Sequence, residues 1–297
     1  MSWSEGGRCF QIIERQGDRP YRVSVVESRS VRSGRKSSRL LVSVDTDRRA
    51  GSVISDDVMN GIAKRLRVTL GLDRDLEPFY AMCRRNPHLK VIPRIGAGRL
   101  IRSASMTENV VKTLCSTNVN WTQAVKMINR LGQLGPNLHD FRGFNAWPTP
   151  REILRAGQPY LKEVCRVGYR SDSILEFCER VCEGELDLVA LEARASDPEV
   201  SSEEIASAFR DIRGIGPASA NYLVGFLGRH DRLAVDSATY AFVAKFHTNG
   251  RKPTLKKIER IYAPFGPWKG LVCWLENWLT WDSAKGILAE YRSPRNA

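Results

Sequence analysis

Two glycines separated by a single residue, Gly214 and Gly216, stand between two helix-patterned segments and are followed at once by Pro217. No other feature constrains the fold of this chain as tightly. Ser201-Ser202-Glu203-Glu204 supplies a cap for a first helix, and Pro217 suits the first position of a second, where a helix can lack an N–H. The glycines permit positive φ and close backbone approach between the two. The spacing therefore predicts a helix-hairpin-helix over about 203–228, with Ile215 docked inward and Ala218 and Ala220 letting the helices approach. Such a hairpin aims free amides and a helix amino terminus at one place, which suits a phosphate. An ordinary pair of packed helices would use the same residues, so the hairpin by itself does not fix a function.

Around this element the chain divides by periodicity. Up to about Arg99 it reads as strands and hairpins, with alternation over Tyr21–Val25, a β-branched run at Leu40–Val44 and a basic loop over Ser30–Arg39. One helix, from Asp56 and Asp57 to Leu70, interrupts that region. From about residue 100 the period is helical throughout, opening on the capping box Ser105-Met106-Thr107-Glu108. The expectation is a mainly α (α+β) protein: an amino-terminal antiparallel β-rich domain over 1–99, then a helical domain over 100–297.

Charge narrows the partners. Of 46 Lys and Arg against 33 Asp and Glu, giving a net charge of +13, 20 basic and 11 acidic residues fall in the first hundred positions. A surplus of that size favours a polyanion. The seven cysteines are odd in number and scattered, as in a reducing compartment, and the i, i+4 pair Cys178 and Cys182 has no second pair nearby. With four dispersed histidines and no zinc-hydrolase or zinc-deaminase pattern, no metal and no cofactor are expected. No apolar run approaches a membrane span, and the amino terminus lacks the apolar core of a signal peptide. The expectation is a soluble, intracellular monomer associated with DNA, in the cytoplasm and nucleoid or in a nucleus, without a membrane partner.

Twenty residues beyond Gly216, the apolar approach Leu233-Ala234-Val235 ends in Asp236, directly ahead of a helix over about 236–247. Asp236 suits an N-cap. A capping carboxylate also stays ionised when partly desolvated, which is the state that stabilises a sugar oxocarbenium ion or orients a water.

The glycine hairpin followed at this distance by an aspartate resembles the helix-hairpin-helix DNA glycosylase superfamily, over roughly residues 70–290. Leu72–Tyr80, Cys115–Trp121 and Gly168-Tyr169-Arg170 look like the corresponding parts of its 8-oxoguanine and alkylpurine branches. The resemblance implies two all-helical subdomains behind a small antiparallel sheet, with the pocket between the subdomains. It makes Asp236 the catalytic residue for cleaving the N-glycosidic bond, and Arg213, Gly214, Ile215, Gly216 and Ala218 the grip on the DNA backbone. It makes Asn118 the residue that fills the hole left by a flipped base, Tyr169 a wedge, and Arg170 the group facing the estranged base. A turn asparagine and surface packing explain the same three residues without DNA.

Two departures shape the expected chemistry. Bifunctional members carry a Schiff-base lysine two residues after the second glycine, where this chain has Ala218. The carboxy-terminal helix, Leu271–Trp278, lacks the glutamine and phenylalanine that hold 8-oxoguanine. Trp274 and Trp278 share a helix face there and form either a core stripe or, with Trp121 and Tyr222, an electron-rich wall for a cationic purine. The function expected is a monofunctional glycosylase of base excision repair, acting on a damaged, alkylated purine in double-stranded DNA. The alternatives are an 8-oxoguanine-type glycosylase and a non-catalytic helix-hairpin-helix DNA-binding protein.

Overall fold

The computed structural model describes residues 2–3, 9–32, 35–46, 54–138 and 145–279. The fold is mainly α with a small amino-terminal antiparallel sheet, in strand order β1 (Ser2–Trp3), β2 (Cys9–Gln16), β3 (Arg19–Arg32) and β4 (Arg35–Asp45). The alternation expected over Tyr21–Val25 is the inward face of β3, with Tyr21, Val23 and Val25 buried and paired with Glu14, Ile12 and Phe10 of β2. The run at Leu40–Val44 is a strand as well, but Leu40, Leu41 and Val42 are exposed.

Two expectations for this region need correction. The ladder between β3 and β4 continues from Arg22↔Asp45 out to Arg32↔Arg35, so most of the basic loop at 30–39 is strand. Its tip, Ser33-Gly34, lies outside the described residues. The strand character assigned up to Arg99 stops at Asp45 among the described residues. Beyond α1 (Asp56–Leu70) come α2 (Glu77–Arg85), a 3-10 turn at Pro87–Leu89 and α3 (Val91–Ile95). The signal for α2 was present but short: Pro78 sits in its first turn, and Phe79 and Cys83, four apart, are its buried face.

The later helices follow the expected pattern closely. They are α4 (Met106–Ser116), α5 (Trp121–Gly132), α6 (Pro150–Glu163), α7 (Arg170–Cys182), α8 (Leu188–Ala195), α9 (Ser202–Arg210), α10 (Pro217–Phe226), α11 (Ser237–His247), α12 (Leu255–Tyr262) and α13 (Lys269–Leu279). Their starts are set locally. Asn120, Thr149, Asp187, Ser201, Asp236 and Thr254 each accept a backbone amide of the first turn they cap.

The chain forms two compact units, each from two stretches of sequence: Met1–Leu66 with Leu114–Leu186, and Arg67–Thr113 with Asp187–Ala297. The division expected at residue 99 is not where these units part. In the first, the sheet is tied to its helices by ion pairs: Arg65 Nε to Glu14 Oε2 at 2.6 Å, and Arg15 Nη1 to Glu152 Oε2 at 2.8 Å. The core of the second gathers Phe79, Leu89 and Ile92 with Val243, Ile258, Tyr262, Leu271 and Leu275. Within it the fully enclosed Glu276 accepts a hydrogen bond from Tyr262 Oη at 2.7 Å.

Candidate active site

The hairpin forms as its sequence dictates. Ser201 and Glu204 make a reciprocal capping box at the start of α9. Gly214 turns the chain at φ +90°, a conformation that disfavours any side chain. Ile215 is buried, as expected, while Arg213, Gly214 and Gly216 are exposed. Gly216 differs from expectation. It caps α10 with φ −86° and ψ 177°, an extended conformation open to all residues, and no atom lies within 4 Å of where its Cβ would be. Neither the turn nor the packing of the protein requires glycine there.

The segment from α10 to Asp236 is fastened by side chains. Asn221 Nδ2 donates to Leu233 O at 2.8 Å, and its Oδ1 accepts from Arg232 Nε at 2.8 Å. Arg229 donates to Ala195 O at 2.7 Å and Val200 O at 2.6 Å, and Ser202 Oγ donates to Asp231 Oδ1 at 2.6 Å. These bonds fix the approach to α11 against the hairpin helices, so Asp236 has a defined position. Sequence reading passed over Asn221, Arg229 and Arg232, because their partners lie 11 to 34 residues away.

Asp236 is half-buried, and both carboxylate oxygens are engaged. Oδ1 accepts from Thr239 N at 2.8 Å and from Thr239 Oγ1 at 3.0 Å, the N-cap expected of it. Oδ2 accepts from Tyr222 Oη at 3.2 Å. Burial, and then the negative charge of Asp236, push the Tyr222 phenol above its usual pKa, so it remains a donor. Beside this pair Cys273 is buried with its thiol pushed up to about 12, by desolvation and then by Glu276, so it is no nucleophile at neutral pH. Trp274 and Trp278 are half-buried against the core that contains Phe79 and Tyr262, which is the packing of a core stripe.

The other site candidates belong to the first unit. Asn118 adopts a left-handed φ of +48°, and its Nδ2 donates to Tyr169 Oη at 3.3 Å. Tyr169 is 64% exposed and Trp121 63% exposed. The hydrogen bond from Asn118 lowers the Tyr169 pKa, with the charge of Arg170 contributing. Arg170 itself is only 8% exposed. Its guanidinium donates to the carbonyls of Thr117, Asn118 and Val167 and stacks over the Tyr169 ring, 4.6 Å from the centroid. Among the described residues no group of three or more His, Cys, Asp or Glu side chains is placed to hold a metal ion, and no helix is long and apolar enough to cross a membrane.

A capped carboxylate held behind a glycine hairpin, in a mainly helical fold with a small amino-terminal sheet, resembles the arrangement of helix-hairpin-helix DNA glycosylases. Comparison with known proteins agrees. The chain is 25% identical over 213 residues to the DNA-3-methyladenine glycosylase of Bacillus subtilis (strain 168), covering 70% of this chain and 68% of that protein. Among solved structures it has the fold of the 3-methyladenine DNA glycosylase from Archaeoglobus fulgidus (TM-score 0.68, 19% identity, 91% of this chain and 86% of that one). It shares that fold with the Clostridium acetobutylicum 8-oxoguanine glycosylase/lyase bound to double-stranded DNA (TM-score 0.64, 18% identity, 93% and 90%). No family model matches the chain. The chain is thus similar in sequence to one DNA glycosylase and in fold to others.

Proposed function

We propose that this protein is a monofunctional DNA glycosylase that flips an alkylated purine out of duplex DNA and hydrolyses its N-glycosidic bond. The observation that carries the reading is the state of Asp236. Its carboxylate is oriented by Thr239, faced by a tyrosine that stays protonated, and seated beyond a hairpin whose glycine leaves open space. An ionised carboxylate held in place stabilises the positive charge that develops on the sugar as the bond breaks, without reorganising during the reaction. It also positions the attacking water. A purine made cationic by alkylation departs without a general acid, so one carboxylate suffices. With Ala218 in the lysine position, hydrolysis replaces Schiff-base chemistry at that site.

The exposed Arg213, Gly214 and Gly216 of the turn and the α10 amino terminus grip the DNA backbone, and the positive charge supplies salt-sensitive, sequence-independent affinity. Asn118 and Tyr169 serve as the hole filler and wedge. Arg170 acts through them, since its guanidinium is spent on the carbonyls of their loop. Tyr222, hydrogen-bonded to Asp236, is the aromatic candidate for the base pocket. The test is base release from duplexes carrying one lesion each, scored with and without alkali. Release of methylated purines without strand cleavage supports the proposal. Release of 8-oxoguanine alone, or of nothing, refutes it.

A further inference from the structure

Within the second unit, a cavity of about 210 Å³ opens at the carboxy-terminal end of α10. Neither Asp236, Tyr222 nor any residue of the 213–218 turn lines it. The ten-residue helix separates it from the hairpin by about 15 Å. Four guanidinium-bearing residues, Arg67, Arg74, Arg99 and Arg102, contribute to its wall, together with Gly228 and His230.

Two of these arginines have carboxylate partners. Arg102 pairs with Glu192 at 2.6 Å, and Arg67 with Asp73 at 3.2 Å. The other two are held by neutral carbonyls: Arg74 Nη2 donates to Leu227 O at 2.5 Å, and Arg99 Nη1 donates to Gly71 O and, at 2.9 Å, to Arg74 O. Among these arginines and their ion-pair partners, four positive charges stand against two negative ones, an excess of two in a partly enclosed space, with Asp231 the next carboxylate, acting on His230. The carbonyl end of α10 would repel an anion, but Arg74 sits on it and reverses the local sign. Gly228 makes that possible. It has φ +87°, and a Cβ there would fall 2.2 Å from the Arg74 guanidinium. The crowding has a cost: burial and then the charge of Arg102 lower the Arg74 pKa. Burial and then Arg74 hold the His230 imidazole down at about 4.

We propose that this cavity is a binding site for a dianionic terminal phosphate, either inorganic phosphate or a phosphomonoester. Two uncompensated guanidinium charges match its two negative charges, and each guanidinium has five N–H groups, more than the bonds named above use, to offer its oxygens. Ser196 also lines the wall, its hydroxyl donating to Glu192 O at 3.4 Å. The proposal is independent of the reaction assigned to Asp236.

The test is titration of the full chain with inorganic phosphate at about pH 8, where the dianion predominates, with sodium chloride holding ionic strength constant. Calorimetry should give saturable binding with a Kd of about 1 mM or tighter. The His230 ring protons, followed by NMR, should shift along the same isotherm. Arg99→Gln should weaken binding about tenfold or more. Because Arg99 also braces its loop, Arg67→Gln, at an exposed ion pair, is the second variant and should weaken binding while the melting temperature holds. A duplex with a 5′-phosphate and one with a 5′-hydroxyl identify the source. Competition by the first alone assigns the site to a nucleic-acid end, and competition by neither assigns it to free phosphate. Equal competition by both would overturn the dianion assignment. So would a response no greater than that to chloride, undiminished binding in both variants, or binding without a His230 shift.

Discussion

Replacing Asp236 with asparagine separates the two tasks of this residue. Asparagine caps helices as well as aspartate does, so its carbonyl oxygen should still accept from Thr239 N and Oγ1, and α11 should form. The change falls on the other atom. Oδ2 becomes an amide that donates, facing the Tyr222 hydroxyl that now donates to it at 3.2 Å, and the negative charge is gone. Losing a hydrogen bond to a charged acceptor costs about 1.5–3 kcal/mol. Rotation of the tyrosine hydroxyl toward another acceptor recovers part of this, so the melting temperature should fall by only a few degrees. Catalysis should suffer far more, because removing one preorganised electrostatic group lowers the rate on the order of 10²–10³-fold. Duplex affinity should hold or rise, since a negative charge has left a surface that faces phosphates. Single-turnover excision from a methylated duplex, with enzyme in excess, isolates the chemical step from product release. Wild-type rates in the variant would refute the catalytic assignment. A loss of rate matched by a loss of folded protein would show that the carboxylate serves only as a cap.

Other outcomes follow from the same geometry. Gly216→Ala meets no atom within 4 Å, so thermal melting should show a cost of about 1 kcal/mol at most, for the poorer cap; duplex affinity should nonetheless drop in a binding titration, and unchanged affinity would remove the hairpin from the DNA contact. Borohydride should trap no covalent adduct on methylated or 8-oxoguanine duplexes, because Ala218 offers no amine; a trapped band would overturn hydrolysis without a Schiff base. Arg170→Ala strips donors from the carbonyls of Thr117, Asn118 and Val167 and should destabilise the fold by about 2–3 kcal/mol in denaturant. It should also slow excision evenly whatever base stands opposite the lesion; a loss confined to one opposite base would show that Arg170 reads that base. His230 should impose a pH dependence on stability. Its folded pKa of about 4 lies below the unfolded value of about 6.5, so its contribution is complete above that value and disappears as pH falls toward 4. The loss is on the order of 3 kcal/mol, and His230→Gln should flatten it in phosphate-free melts.

What the sequence determined by itself is local. The turn at Gly214, the inward Ile215, the Ser201–Glu204 box and the Asp236 cap each depend on residues a few positions apart, where turn and capping chemistry act directly. Most helices from residue 106 onward were legible for the same reason, since an apolar stripe repeats within each one. The short α2 and α3 were not, because a helix of five to nine residues offers too few repeats to outweigh a strand-like setting. Tertiary structure decided everything that joins distant residues. It set the tyrosine of α10 on Asp236 across 14 positions, and it folded Arg170 onto the carbonyl of Thr117, 53 positions away, although its neighbour Tyr169 stayed in solvent. It packed Trp274 and Trp278 against the core, a choice their i, i+4 spacing left open, because spacing names a shared face without naming what covers it. It also gathered four arginines around the end of α10, with Arg74 reaching a carbonyl 153 residues away. Charge along a chain can be counted, but whether its carriers meet depends on packing, which no local window contains.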